Sequence, residues 1–224
     1  MASDKTLDIS IVLDTVCPWC FVGKRRLEKA VGMAKEKWPE FAVNIDYLPY
    51  QLDSKMGKGL DKLEVYRMKF GDRLDTVLKG ISDTGKADGI EFDFSGKMSN
   101  TLDSHRLIDY ATRQKNNGGK EDVQDKVVES LMRRYFELEE DIGSIQVLLS
   151  AAEDAGLDCQ AVEKYLESDE GVAELKKKAE SVKSIGSRGV PFYIINSRFG
   201  VAGAETPEVF LEAFEKVFEK SQSL

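Results

Sequence analysis

Leu7-Asp8-Ile9-Ser10-Ile11-Val12-Leu13-Asp14-Thr15-Val16-Cys17-Pro18-Trp19-Cys20 decides the fold. Leu7, Ile9, Ile11 and Leu13 are apolar at every second position, with Asp8 and Ser10 on the other face, which is the period of a β-strand. Beyond the two cysteines, Leu27, Val31, Ala34 and Trp38 recur at helical spacing, and Pro18 suits the first turn of that helix. Phe41, Val43, Ile45 and Tyr47 then alternate again. The opening unit is therefore strand, helix, strand, and a right-handed crossover makes the two strands parallel neighbours. The two cysteines sit where the first strand hands over to the helix.

Working outward, the stretch from about Gln51 to Ala155 has no long alternating segment and reads as helices separated by glycine-bearing turns. Val123, Val127, Leu131 and Tyr135 form one apolar stripe, and Ile145, Leu148 and Ala152 another. Asn117-Gly118-Gly119 breaks the helical pattern, and Ile90 to Phe94 reads as a short extended piece. Later helices carry Val162, Tyr165 and Leu166, then Val172, Leu175, Ala179, Val182 and Ile185. Val190 to Ile195 and Arg198 to Ala202 read as two strands. Thr206-Pro207 starts a last helix through Phe210, Phe214 and Val217. The class is α/β: βαβ at the start and ββα at the end share one sheet, with a helical block between them.

The 224 residues carry 32 Lys and Arg against 40 Asp and Glu, a formal charge of −8. That balance disfavours a surface that tracks nucleic-acid phosphates. No apolar run is long enough to cross a bilayer, and Met1 to Asp8 lacks the basic start and apolar stretch of a secretory signal, so the expectation is a cytoplasmic protein with no membrane partner. Only three cysteines occur, which leaves no framework of structural disulfides.

Two thiols separated by two residues at a helix start can close a disulfide with little rearrangement, and the free amides there favour a thiolate. Cys17 is the expected exposed nucleophile, its pKa below the free-cysteine value of roughly 8.5, and Cys20, one turn deeper, resolves the mixed disulfide. Pro18 and Trp19 shape the loop between the sulfurs. Lys24, Arg25 and Arg26 read as a solvated helix face. A zinc site needs four ligands, and beyond the pair only Cys159 and His105 remain, with no second paired motif, so no metal is expected. Val190-Pro191 is the second informative feature, because a proline opening a strand cannot supply a ladder hydrogen bond and marks an unusual backbone.

The segments Asp14-Thr15-Val16-Cys17-Pro18-Trp19-Cys20-Phe21-Val22-Gly23-Lys24-Arg25-Arg26-Leu27, Gly189-Val190-Pro191-Phe192 and Gly200-Val201-Ala202-Gly203-Ala204 closely resemble the FrnE-like branch of the DsbA family. Asn100-Thr101 followed by His105-Arg106-Leu107 resembles that family's motif in the helical insertion, with Ser104 where alanine is more usual. The resemblance implies a thioredoxin-like fold, residues 1–50 and 161–224 forming one domain and 51–160 a helical insertion. It also implies a cis Val190–Pro191 bond beside the cysteines and substrates held along the Val190 backbone. Asn100 and His105 would face the cleft and, with Pro18, Trp19, Val190 and Pro191, contact substrate.

The activity so implied is exchange of the Cys17–Cys20 dithiol with protein thiols and disulfides or small-molecule thiols. No cofactor is expected to be tightly bound, glutathione is a possible co-substrate, and the chain would be a monomer or homodimer. Glutathione transferases of kappa type and 2-hydroxychromene-2-carboxylate isomerase share the architecture, which leaves a glutathione-dependent transferase or isomerase as an alternative. They usually carry serine at the position of Cys17. A chaperone-like binding protein with an incidental dithiol is a third reading. Some FrnE-like members have a further downstream cysteine pair, which this sequence lacks.

Overall fold

The computed structural model describes residues 5–120, 122–184 and 189–221. Ile185 and the first four residues, on which the sequence also bears, lie outside them. Strand β1 (Thr6–Leu13) leads through the Asp14–Val16 turn into α1 (Pro18–Lys37) and on to β2 (Ala42–Pro49). After the helical block come β5 (Phe192–Ile195), β6 (Phe199–Ala202) and α9 (Pro207–Ser221), with β3 (Leu60–Asp61) and β4 (Lys97–Met98) pairing as a small separate ribbon. The main sheet has the order β2-β1-β5-β6. β1 is parallel to β2 and antiparallel to β5, and β5 is antiparallel to β6, which is the thioredoxin-like arrangement.

Why β1 occupies the centre follows from its side chains. Leu7, Ile9, Ile11 and Leu13 are all buried, and so is Val12 from the other face, as befits a strand covered on both sides. Register aligns Ile9 with Ile45 on one neighbour and Ile195 on the other, a row of β-branched residues across three strands. Against this sheet lies α1, packed beside α9 through Leu27, Ala30 and Ala34, with Phe210 and Phe214 buried on the α9 side.

Helix α1 can come this close to the sheet because position 23 has no side chain. A Cβ on Gly23 would stand 2.2 Å from the Tyr193 hydroxyl and 3.1 Å from Pro191 Cγ. Both neighbours are buried and cannot swing aside. Gly23→Ala should therefore lower stability by up to about 2 kcal/mol, overpacking of about 1–3 kcal/mol being offset in part by the gain of about 1 kcal/mol in helix propensity. A rise in melting temperature for this variant would refute the close-packing account.

The block between β2 and β5 comprises α2 (Lys62–Phe70), α3 (Leu74–Ala87), α4 (Leu102–Asn116), α5 (Val123–Glu137), α6 (Ile145–Asp154), α7 (Cys159–Glu167) and α8 (Val172–Ser184). The stripe Val123, Val127, Leu131 and Tyr135 is buried along α5, and Leu148 and Ala152 along α6. Gly118 takes a φ of 89° at the break after α4, the conformation that glycine reaches without steric cost. The segment Ile90 to Phe94, expected to be extended, is a loop without strand pairing. Its Asp93 amide donates to the Phe136 carbonyl, and Phe92 and Phe94 stack on each other, so aromatic packing rather than a ladder fixes its course.

Lys24, Arg25 and Arg26 do not form a solvated face. Lys24 is only 4% exposed and lies beside Glu28, Asp125 and Glu129. Arg25 pairs with Glu129, and Arg26 bonds Asp88 at 2.8 Å and the Ala204 carbonyl at 2.6 Å. Three consecutive cations thus pin α1 to α5, to the end of α3 and to the loop after β6. Burial of Lys24 is tolerated because three carboxylates surround it; together they outweigh desolvation and raise its pKa.

Candidate active site

Cys17 is the N-cap residue of α1, with extended backbone, and Pro18 follows in the first turn. No side chain caps this end, so the first-turn amides are left to favour negative charge at the sulfur. Opposite, the Val190–Pro191 peptide is cis, and the Val190 carbonyl accepts from Cys17 Sγ at 3.7 Å. The fold brings together residues 173 positions apart in the chain. Both cysteines are free thiols here.

Their environments drive the two thiols apart. A hydrogen bond from Cys20 holds the Cys17 pKa below its ordinary value, against desolvation. Burial pushes Cys20 well above the ordinary value, and the Cys17 sulfur adds to that shift. One sulfur is thus favoured as the anion and the other as the proton holder. The Asp14 carboxylate opposes ionisation of both.

Cys17 differs from expectation in exposure: at 4% it is buried, with the Val190 carbonyl against its sulfur. Trp19, at 40%, is the open residue of the motif. A cavity of about 560 Å³ opens between the turn ahead of Cys17 and the helical block, with Asp14, Val16, Leu52, Met56, Tyr66 and Met98 among its lining.

His105 and Asn100 stand at the other side of that turn. Buried His105 places Nε2 3.0 Å from the Tyr50 carbonyl and 3.4 Å from Asp14 Oδ1, and it does not line the cavity. Asn100 accepts from Gln51 Nε2 at 3.0 Å and donates to the Ser54 carbonyl at 3.0 Å, stapling the chain after β2 to the start of α4. Thr15 and Ser104 share a buried hydrogen bond of 2.8 Å. Asn100 and His105 therefore brace the active-site turn from behind, while Thr101 between them lines the cavity. Asp14 and Tyr66, which do line it, receive no role from the sequence; the buried, unpaired oxygens that single them out exist only in three dimensions. Among the described residues, no group of three or more His, Cys, Asp or Glu side chains is gathered to hold a metal ion. None of the described helices is long and apolar enough to cross a membrane.

Known proteins of similar sequence and structure fit this geometry. The chain is 23% identical over 216 residues to the uncharacterized protein YwbO of Bacillus subtilis (strain 168), covering 93% of this chain and 96% of that one. Its structure is similar to a crystal structure described as a "probable DsbA oxidoreductase", SCO1869 of Streptomyces coelicolor. The TM-score is 0.82 at 24% identity, over 95% of this chain and 90% of the other. The cytosolic disulfide reductase DsbM from Pseudomonas aeruginosa with GSH gives a TM-score of 0.56 at 14% identity, over 97% and 100% of the two chains. At these identities the structural likenesses establish the fold. The family itself is established by the model of the DSBA-like thioredoxin domain, which matches residues 8–215. With its dithiol at the head of α1, the chain belongs to the DSBA-like thioredoxin domain family, whose fold supports redox or isomerase chemistry.

Proposed function

We propose that the protein is a dithiol–disulfide oxidoreductase of FrnE type, acting in the cytoplasm on protein or small-molecule thiols and disulfides. The observation that carries this reading is the opposite perturbation of the two thiols, Cys17 lowered and Cys20 raised, at a helix N-terminus facing the Val190 carbonyl. In the reducing direction the Cys17 thiolate attacks a substrate disulfide and expels one thiolate. The Cys20 thiol then loses its proton and attacks Cys17 Sγ, releasing the second substrate thiol and leaving a Cys17–Cys20 disulfide. The oxidising direction is the reverse. Val190 and Pro191 align the partner along the sulfur, with Pro18 and Trp19 forming the outer wall.

Cys17→Ser should abolish insulin reduction and thiol oxidation, whereas Cys20→Ser should attack once and accumulate a mixed disulfide that mass spectrometry detects. Wild-type turnover by Cys17→Ser would sink this reading. Glutathione as co-substrate is a second reading, supported by the cavity beside Cys17, which carries Lys55 and Lys69 as counter-charges for carboxylates. Calorimetry showing no heat of glutathione binding to either redox state would remove it.

A further inference from the structure

The cavity beside Cys17 has apolar walls and a polar floor whose atoms lack partners. Val16, Leu52, Leu60 and Val65 contribute to the walls. Three of the six methionines of the chain, Met56, Met68 and Met98, line the same space. Thioethers are adaptable and make favourable contacts with aromatic rings. At the floor, Asp14 and Tyr66 are both buried. Asp14 Oδ2 accepts from the Leu52 amide at 2.7 Å, which fixes the carboxylate, while Oδ1 accepts no hydrogen bond. His105 Nε2, 3.4 Å from that oxygen, lies nearer the Tyr50 carbonyl, at 3.0 Å. The Tyr66 hydroxyl is also unpartnered, with Tyr135 close by but outside hydrogen-bond geometry.

A buried carboxylate oxygen without a donor costs free energy, and a ligand that brings the donor recovers it. The ligand must carry that donor at the tip of an apolar body. Lys55 and Lys69 on the cavity lining disfavour a cationic side chain. The methionines favour an aromatic ring, and a volume of about 560 Å³ accommodates one large side chain with part of its backbone. Exposed Trp19, Leu60 and Met68, the last 79% exposed, offer apolar surface for the neighbouring residues of a chain. We propose that this cavity is a specificity subsite for a tyrosine or tryptophan side chain adjacent to the reacting cysteine of a polypeptide substrate. The phenol O–H or indole N–H donates to Asp14 Oδ1, and Tyr66 supplies a second polar contact.

The proposal rests on disulfide exchange at Cys17, and the test separates the two. The full-length reduced protein is mixed with short peptides, each holding its single cysteine as a mixed disulfide with β-mercaptoethanol. The peptides are identical except for Tyr, Trp, Phe or Ala beside that cysteine. Each reaction passes two electrons from the Cys17–Cys20 dithiol to the peptide disulfide, yielding two free thiols and the protein disulfide, and its second-order rate constant is followed by mass spectrometry. Wild type should react at least about tenfold faster with the Tyr and Trp peptides than with Phe, since a site built around a hydrogen bond rejects the analogue lacking it. In Asp14→Asn and Tyr66→Phe the Tyr-to-Phe ratio should fall severalfold; as a ratio, it cancels any change in Cys17 itself. Equal wild-type rates for Tyr and Phe, or a ratio that survives both substitutions, would overturn the subsite. Failure of every peptide to react would overturn the exchange reading instead.

Discussion

Replacing Arg106 with alanine is expected to destabilise the protein by about 3–5 kcal/mol, the cost of removing one partner from a buried, charge-assisted network. Arg106 is buried on α4, and its guanidinium donates to the backbone carbonyls of Tyr165, Leu166, Ser168 and Glu170 at 2.6–3.2 Å and to Asp103 at 3.0 Å. It also lies 4.9 Å from the centre of the Tyr165 ring. These carbonyls belong to the C-terminal end of α7 and the turn after it, where orphan acceptors and the negative end of the helix dipole both call for a cation. Alanine would leave them without donors in a space too small for bulk water. At roughly 2–4 °C per kcal/mol for a chain of this size, the melting temperature should fall by about 6–20 °C. Lysine should restore only part of the loss, because an ammonium cannot reproduce the planar fork. Urea denaturation of the alanine variant within about 1 kcal/mol of wild type would contradict this account. The consequence reaches the active site, since α4 also carries Ser104 and His105, which brace the Asp14-Thr15 turn.

Asp14→Asn is the second large expected effect, and it acts on chemistry rather than stability. The carboxylate opposes ionisation of Cys17 and Cys20 alike. Asparagine keeps an oxygen for the Leu52 amide but removes the charge, so the Cys17 thiolate becomes easier to form. Stabilising that thiolate stabilises the reduced protein, which makes the disulfide a stronger oxidant. The reduction potential should therefore become less negative, by about 30 mV for each 1.4 kcal/mol of thiolate stabilisation. A pH titration of thiolate absorbance should show the Cys17 midpoint moving to lower pH, and equilibration against glutathione buffers should show the potential rising. A midpoint that stays put, or a potential that becomes more negative, would show that Asp14 does not govern the dithiol through its charge. Through Asp14, then, the position three residues ahead of Cys17 both tunes the sulfur and lines the cavity beside it.

How much was legible beforehand depends on the distance over which each feature is decided. The β1 alternation, Pro18 at a helix start and the Thr206-Pro207 start of α9 are local signals, and the elements fall where they indicate. Ile90 to Phe94 misleads because its alternating apolar residues serve an aromatic cluster with Phe136, not a ladder. Lys24 and Arg25 read as surface because nothing near them in the chain foretells Asp125 and Glu129, residues 101 and 104 positions away that neutralise them. His105 reads as a cleft residue by resemblance, yet it sits behind Asp14, since the packing of α4 against the turn is a tertiary matter.

The sequence by itself determined the βαβ and ββα units of the main sheet, the split α/β architecture and the dithiol at the head of α1, because these follow from periodicity and from the chemistry of a few adjacent residues. Only the tertiary structure decided that Cys17 is covered and that a cavity lined by Asp14 and Tyr66 opens ahead of it. Burial and the lack of a hydrogen-bond partner belong to the surroundings of a side chain, and segments far apart in the chain make those surroundings.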